Sequence, residues 1–258
     1  MQKILIIGNG MMGGSLGMAL ENNGKYKVEY AGFFKINFSR PHNVVIGYDT
    51  DDNFVNVIEL KDIIKKYDFF INASGVDHFH TEKLKKSFLD VSSVQYETIF
   101  KNHIFCHPIC GSEKSGRENA KADLFQGKTC IITTENKEQD LIAFATDIFT
   151  DIGMNVQFCE TAEEHNKNLA YTSHLIQYLA FNDNFKTLHP VFERLSNSNK
   201  EMWGKIFKKN KVNIQNALED LLGIYVSQQT PSISEAFKIL VKDIPEYFYG
   251  TALKEIIN

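Results

Sequence analysis

The segment Gly8-Asn9-Gly10-Met11-Met12-Gly13 has a spacing that implies chemistry. It fits G-x-G-x-x-G and lies between the apolar run Ile4–Ile7 and an apolar helix pattern reaching Leu20. Each glycine answers a different demand. Gly8 allows a tight turn, Gly10 lets backbone approach a pyrophosphate, and Gly13 lets helix pack on strand. Phosphates then meet a helix N-terminus, where free N–H groups and the dipole favour anions. Gly8, Gly10, Met12 and Gly13 are therefore read as cofactor-binding.

A dinucleotide site also asks for an acid at the end of the second strand, to take the ribose hydroxyls. A spacing of about 20 residues would select Glu29, whereas Asp49 closes the apolar run Val44–Tyr48. Asp49 is preferred, with an insertion across 25–42 that forms an extra hairpin. An acid there repels a 2′-phosphate and so favours NAD over NADP, with Arg40 the opposing feature. Arginine occurs only at positions 40, 117 and 194, so any bidentate clamp on a carboxylate or phosphate comes from one of these. Cys106-His107-Pro108-Ile109-Cys110 is superficially metal-like, but it is not C-x-x-C-H and has no second zinc pair. These cysteines read as apolar strand residues, and no metal is expected.

The elements that must hold these residues alternate through the first part of the chain. Short β-rich runs at 3–7, 43–48, 68–73, 104–106, 129–133 and 155–158 are interleaved with helical patterns, as in a doubly wound sheet. From Thr161 the pattern changes. Thr161-Ala162-Glu163-Glu164 fits a capping box opening a long helix to about Asn182, and 198–209, 212–228 and 232–241 keep helical spacing. The expected fold is an α/β N-terminal Rossmann-type dinucleotide-binding domain over 1–159. An all-α C-terminal domain over 160–258 follows, for substrate binding and dimerisation. With 258 residues, 43% apolar and 23% charged, the chain can fill such cores, and its net charge of −4 argues against bulk nucleic-acid binding. No apolar stretch approaches the roughly 18 residues of a membrane span. Met1 runs almost directly into Ile4–Ile7, so a cytoplasmic protein is expected.

The most distinctive text is His107-Pro108-Ile109-Cys110-Gly111-Ser112-Glu113-Lys114-Ser115-Gly116, followed by Asp123-Leu124-Phe125-Gln126-Gly127. With Glu164-His165, Ser173-His174-Leu175 and Arg194 nine residues before Trp203, it resembles the prephenate dehydrogenase family over nearly the whole chain. The resemblance implies NAD-dependent oxidative decarboxylation of prephenate to 4-hydroxyphenylpyruvate, in a homodimer joined through the helical domain. His107 then accepts the hydroxyl proton, since an imidazole with its ordinary pKa near 6.5 is largely neutral in the cytosol. Ser93 matches a serine that orients histidine and substrate, and Ser74 lies at the cofactor turn. Arg194, His174, Gln177 and Ser112 are implied in substrate binding, the arginine by bidentate grip on a carboxylate.

The sequence departs from the family pattern at Gln177, where a second histidine is usual, and at His189–Glu193, where a glycine-rich cationic stretch is usual. Two alternatives follow. One is an arogenate-preferring or dual-substrate dehydrogenase, and the other is a dinucleotide-binding scaffold that has lost catalysis. The presence of Ser93, His107 and Arg194 together favours an enzyme.

Overall fold

The computed structural model describes residues 1–31, 33–37, 44–48, 54–75, 85–110, 114–185, 189–227 and 232–258. The chain divides into two compact units. The first comprises Met1–Ser92, Glu97–Gly111 and Ser115–Glu160, and the second comprises Ser93–Tyr96, Ser112–Lys114 and Thr161–Asn258.

In the first unit, β1 (Gln2–Ile7) buries Ile4 to Ile7 on both faces, as a central parallel strand must. It pairs in parallel with β2 (Tyr26–Ala31) on one side and β6 (Phe69–Asn72) on the other. Parallel pairing continues to β7 (Phe88–Asp90) and β8 (His103–Ile109). β9 (Thr129–Thr133) then runs antiparallel to β8, and β10 (Asn155–Cys159) closes the edge in parallel with β9. Among the described residues this sheet has seven strands in the order β10-β9-β8-β7-β6-β1-β2. Helix α1 (Met11–Asn22) buries Leu16 and Leu20 in the core shared with α3 (Gln139–Asp151), which contributes Ile148 and Phe149.

A separate antiparallel meander joins β3 (Phe33–Asn37), β4 (Val44–Tyr48) and β5 (Phe54–Glu59), and helix α2 (Leu60–Lys66) follows it. This corrects the sequence reading. The run at 43–48 is not the second strand of the main sheet, and Asp49 does not follow that strand. β2 holds that place, pairing residue by residue with β1 from Gln2↔Tyr26 to Ile7↔Ala31. The physical reason is that β2 is an edge strand with partly alternating burial, so its pattern Tyr-Lys-Val-Glu-Tyr-Ala looks less apolar than β4. Apolar density cannot tell a main-sheet strand from a strand of a meander. Asp49 itself, like Arg40, lies outside the described residues.

The second unit is helical. α4 (Ala162–Leu169) starts where expected, with Thr161 Oγ1 accepting the Glu164 N–H at 3.0 Å. It continues through a π-helical turn at Ala170–His174 into α5 (Leu175–Ala180). α6 (Pro190–Leu195), α7 (Lys200–Lys209), α8 (Lys211–Ser227), α9 (Ile233–Val241) and α10 (Thr251–Ile257) follow. Leu175, Ile176, Leu179, Phe192, Phe237 and Leu253 fill its core. Among the described residues no helix is long and apolar enough to cross a membrane.

Candidate active site

Register places the candidate residues of the first unit along one edge. Ile7 is level with Asn72, Asn72 with Asp90, and Asp90 with Phe105. Gly8, Ala73–Ser74, Val91–Ser92 and Cys106–His107 therefore all lie just past that line, at the carboxyl ends of the parallel strands. Ligands of open α/β sheets bind at this edge.

The glycine loop has the geometry its spacing implied. Gly8 has φ +96°, and a Cβ there would stand 2.6 Å from the Ala73 carbonyl carbon and 2.7 Å from Ser74 N. A Cβ on Gly13 would lie 2.0 Å from Gly8 O, so only glycine lets α1 start this close to β1. At Gly10 a Cβ would meet no atom of the described residues within 4 Å beyond its own chain neighbours and helix backbone, so their packing does not demand this glycine. Gly10 is the N-cap of α1 and makes no side-chain cap. The arrangement fits a dinucleotide pyrophosphate at a helix N-terminus. Ser74 is anchored beside it, donating from its N–H at 3.1 Å and its hydroxyl at 2.7 Å to Asn72 Oδ1.

The acid expected from spacing is used elsewhere. Glu29 sits opposite Leu5 in mid-strand, and its carboxylate accepts from Lys66 Nζ at 2.6 Å and Tyr67 OH at 2.8 Å. These bonds, the lysine's first, hold its pKa below the usual carboxylate range. Glu29 thus does not occupy the carboxyl end of β2, which ends on Tyr30-Ala31. Arg117, one of the three arginines, stacks 5.1 Å over the Tyr30 ring. Its Nη1 lies 2.0 Å from where a Cβ on Gly14 would be, so Gly14 is the notch that admits it.

His107 is half-buried on β8 opposite Ile131, at the point where β8 leaves β7 and continues antiparallel to β9. Ser93 follows β7 by three residues and is half-buried. Its segment is fastened within the helical unit. Asn166 accepts the Gln95 N–H at 2.9 Å and returns Nδ2 to Gln95 O at 2.7 Å.

The helical unit places its candidates differently from one another. Arg194, on the last turn of α6, reaches Glu255 of α10, with Nη2 at 3.0 Å and 2.8 Å from the two carboxylate oxygens. Their side chains are 41% and 44% exposed, so both remain accessible. His174 is only 1% exposed and Gln177 only 2%. Asn210 Nδ2 donates to His174 Nδ1 at 2.9 Å, which leaves the ring proton on Nε2. Burial pushes His174 down to about 3, with His165 nearby adding to it, and burial pushes His165 down to about 4. Gln177 donates to Leu195 O at 2.9 Å and accepts from Ser198 Oγ at 3.4 Å. It caps the helix that carries Arg194. Ser112 lies outside the described residues.

Sequence reasoning overlooked Asn72 and Asp90. The available signal was a polar residue ending each of two buried apolar runs, Phe69-Phe70-Ile71-Asn72 and Phe88-Leu89-Asp90.

Residues 72–158 match the family model described as prephenate dehydrogenase, nucleotide-binding domain. A cyclohexadienyl dehydrogenase of Zymomonas mobilis is 33% identical over 109 residues, 38% of this chain and 37% of that protein. The match thus spans little more than a third of that relative's length. Among solved structures, prephenate dehydrogenase from A. aeolicus in complex with hydroxyphenyl propionate and NAD+ superposes with a TM-score of 0.66 at 24% identity, covering 93% of this chain and 96% of the other. Synechocystis arogenate dehydrogenase follows with a TM-score of 0.60 at 18% identity, covering 93% and 96%. These likenesses carry the fold, and the family match carries the central segment.

Proposed function

With residues 72–158 matching a prephenate dehydrogenase nucleotide-binding domain, we propose that this protein catalyses the NAD-dependent oxidative decarboxylation of prephenate to 4-hydroxyphenylpyruvate, on the route to tyrosine. The observation that carries the reading is that this segment contains both Ser93 and His107, and that His107 lies at the same carboxyl edge of the sheet as the glycine loop, with β7 and β6 between β8 and β1. NAD is supported by the nucleotide-binding description of the family and by the NAD+ held in the A. aeolicus complex.

Gly8, Gly10, Met12, Gly13 and Ser74 bind the dinucleotide, which when bound accepts the hydride from the ring carbinol carbon. His107 holds the proton released from that hydroxyl, and Ser93 orients the hydroxyl toward it. Arg194 exchanges Glu255 for a substrate carboxylate, which its planar fork can grip bidentately. Carbon dioxide then leaves because the ring becomes aromatic, which makes the step effectively irreversible. His174 and Gln177 serve from inside the helical unit by holding the helices that present Arg194. The protein works in the cytoplasm as a homodimer through its helical unit.

A second reading, in which the amino acid arogenate is the substrate, is favoured by one observation. The Glu255 carboxylate lies 2.8 Å from Arg194, and a carboxylate beside the substrate's acid group attracts an ammonium. The test is nicotinamide reduction by purified protein with NAD, with prephenate and arogenate supplied separately. Rapid reduction with prephenate supports the proposal, and preference for arogenate replaces it with the second reading. Silence with both substrates, while the dinucleotide still binds, overturns both.

A further inference from the structure

β6 ends on Asn72 and β7 ends on Asp90, neighbours in register, and both side chains are fully buried. A carboxylate taken wholly out of water is unfavourable unless its oxygens are used. Asp90 Oδ2 accepts from Asn72 Nδ2 at 2.9 Å, and Asp90 Oδ1 accepts the Ser92 N–H at 2.9 Å. His103 Nε2, also buried, lies 3.5 Å from Asp90 Oδ2.

An amide has one donor end and one acceptor end, whereas a carboxylate only accepts. Asp90 therefore takes the NH2 end of Asn72 and obliges its carbonyl to face Ser74. That carbonyl accepts both the N–H and the hydroxyl of Ser74. The turn so fastened is the one against which Gly8 rests, within 2.6 to 2.7 Å of a built Cβ. One buried carboxylate thus fixes two loops at the carboxyl edge. Through Asn72 it holds the turn under the glycine loop, and through Ser92 N–H it holds the backbone just before Ser93.

We propose that Asp90 and Asn72 are a positioning pair that sets the dinucleotide-binding turn Ala73–Gly75 before the ligand arrives. The inference rests on the dinucleotide reading given above and goes beyond it. Neither residue needs to touch the ligand. Their effect is to remove the ordering of this turn from the binding step, which raises affinity.

The pair can be tested by exchanging its polarity. In Asp90→Asn one carbonyl stands where two oxygens accepted, so it serves either Asn72 Nδ2 or the Ser92 N–H but not both, and its own NH2 faces the donor it leaves. In Asn72→Asp two carboxylates face each other. In the double exchange, Asp90→Asn with Asn72→Asp, every donor again meets an acceptor. The amide introduced at position 90 donates through its NH2 to the carboxylate introduced at position 72, which accepts from Ser74. The carbonyl of the same amide still accepts from the Ser92 N–H.

The readouts are NADH affinity from the fluorescence of the bound nicotinamide, and the thermal midpoint of the same samples without ligand. Asp90→Asn is expected to bind NADH about tenfold more weakly, with the loss appearing in KM for NAD more than in kcat. The double exchange is expected to recover affinity to within about threefold of the unaltered protein. Unchanged affinity in a folded Asp90→Asn protein overturns the proposal. So does a double exchange that melts like the unaltered protein but binds as weakly as the single variants. An unaltered protein that binds no NADH overturns the dinucleotide reading itself, and the proposal with it.

Discussion

His107 stands on the last residues of β8, past the level at which β7 ends, so its ring is carried by a paired strand rather than a loop. A general base so placed contributes about 10²–10⁴-fold to turnover. His107→Asn should lower kcat by that factor and leave NADH affinity within about twofold. Stopped-flow reduction beside a fluorescence titration checks both, and turnover equal to the unaltered protein would remove the role. Arg194 belongs to the same scale. Its bonds to Glu255 are to an exposed partner, and exposed ion pairs contribute only about 0–1 kcal/mol. The guanidinium can therefore exchange Glu255 for a substrate carboxylate at small expense. Arg194→Gln should raise KM for prephenate at least tenfold with KM for NAD unchanged, and steady-state kinetics with each substrate varied in turn would show it.

At the scale of elements, the start of α1 separates what the fold needs from what the ligand needs. A methyl on Gly13 would collide with Gly8 O, whereas a methyl on Gly10 would meet nothing within 4 Å among the described residues beyond its own chain neighbours and helix backbone. Gly10→Ala should therefore melt like the unaltered protein yet bind NADH at least tenfold more weakly. Gly13→Ala should lose thermal stability as well. Equal melting losses in the two variants would contradict the assignment. The π-helical turn and the helices around it carry a different signature. His165 and His174 are buried and neutral, with pKa values pushed to about 4 and about 3. In the unfolded chain each protonates below about 6.5, so the unfolded state binds more protons in between. Stability is then full above about pH 6.5 and falls as the pH drops toward 4, by a few kcal/mol at most. Thermal midpoints at pH 7.5 and pH 5 should show this fall, and His174→Gln should flatten it. A pH-independent midpoint would contradict the buried neutral state.

At the scale of the whole molecule, helix α7 carries Met202, Trp203, Ile206 and Phe207, yet none of its residues is buried. Val212 at the start of α8 is 67% exposed, and Met202 is 44% exposed. Covering these residues with a second copy is the basis of the proposed homodimer. Light scattering should give twice the 29.5 kDa chain mass, and Met202→Glu with Val212→Glu should halve it. A monomer in the unaltered protein would end that proposal.

The sequence alone determined the glycine loop, the strands read at 3–7, 68–73, 104–106, 129–133 and 155–158, to within a few residues of their ends, and the change to helices at Thr161. Those signals are local: a glycine turn, an apolar run and a cap are each written within a few residues. Which strand lies next to β1 was decided only by the tertiary structure, because pairing depends on register between distant segments. Tyr26–Ala31 took that place over the more apolar Val44–Tyr48. The same reason hid Asn72 and Asp90, which lie 18 positions apart in sequence and meet only when β6 and β7 pair. The uses of Glu29 and Arg194 were likewise set by Lys66 and Glu255, partners 37 and 61 positions away. Spacing shows which residues could do chemistry, and packing decides which of them already have partners.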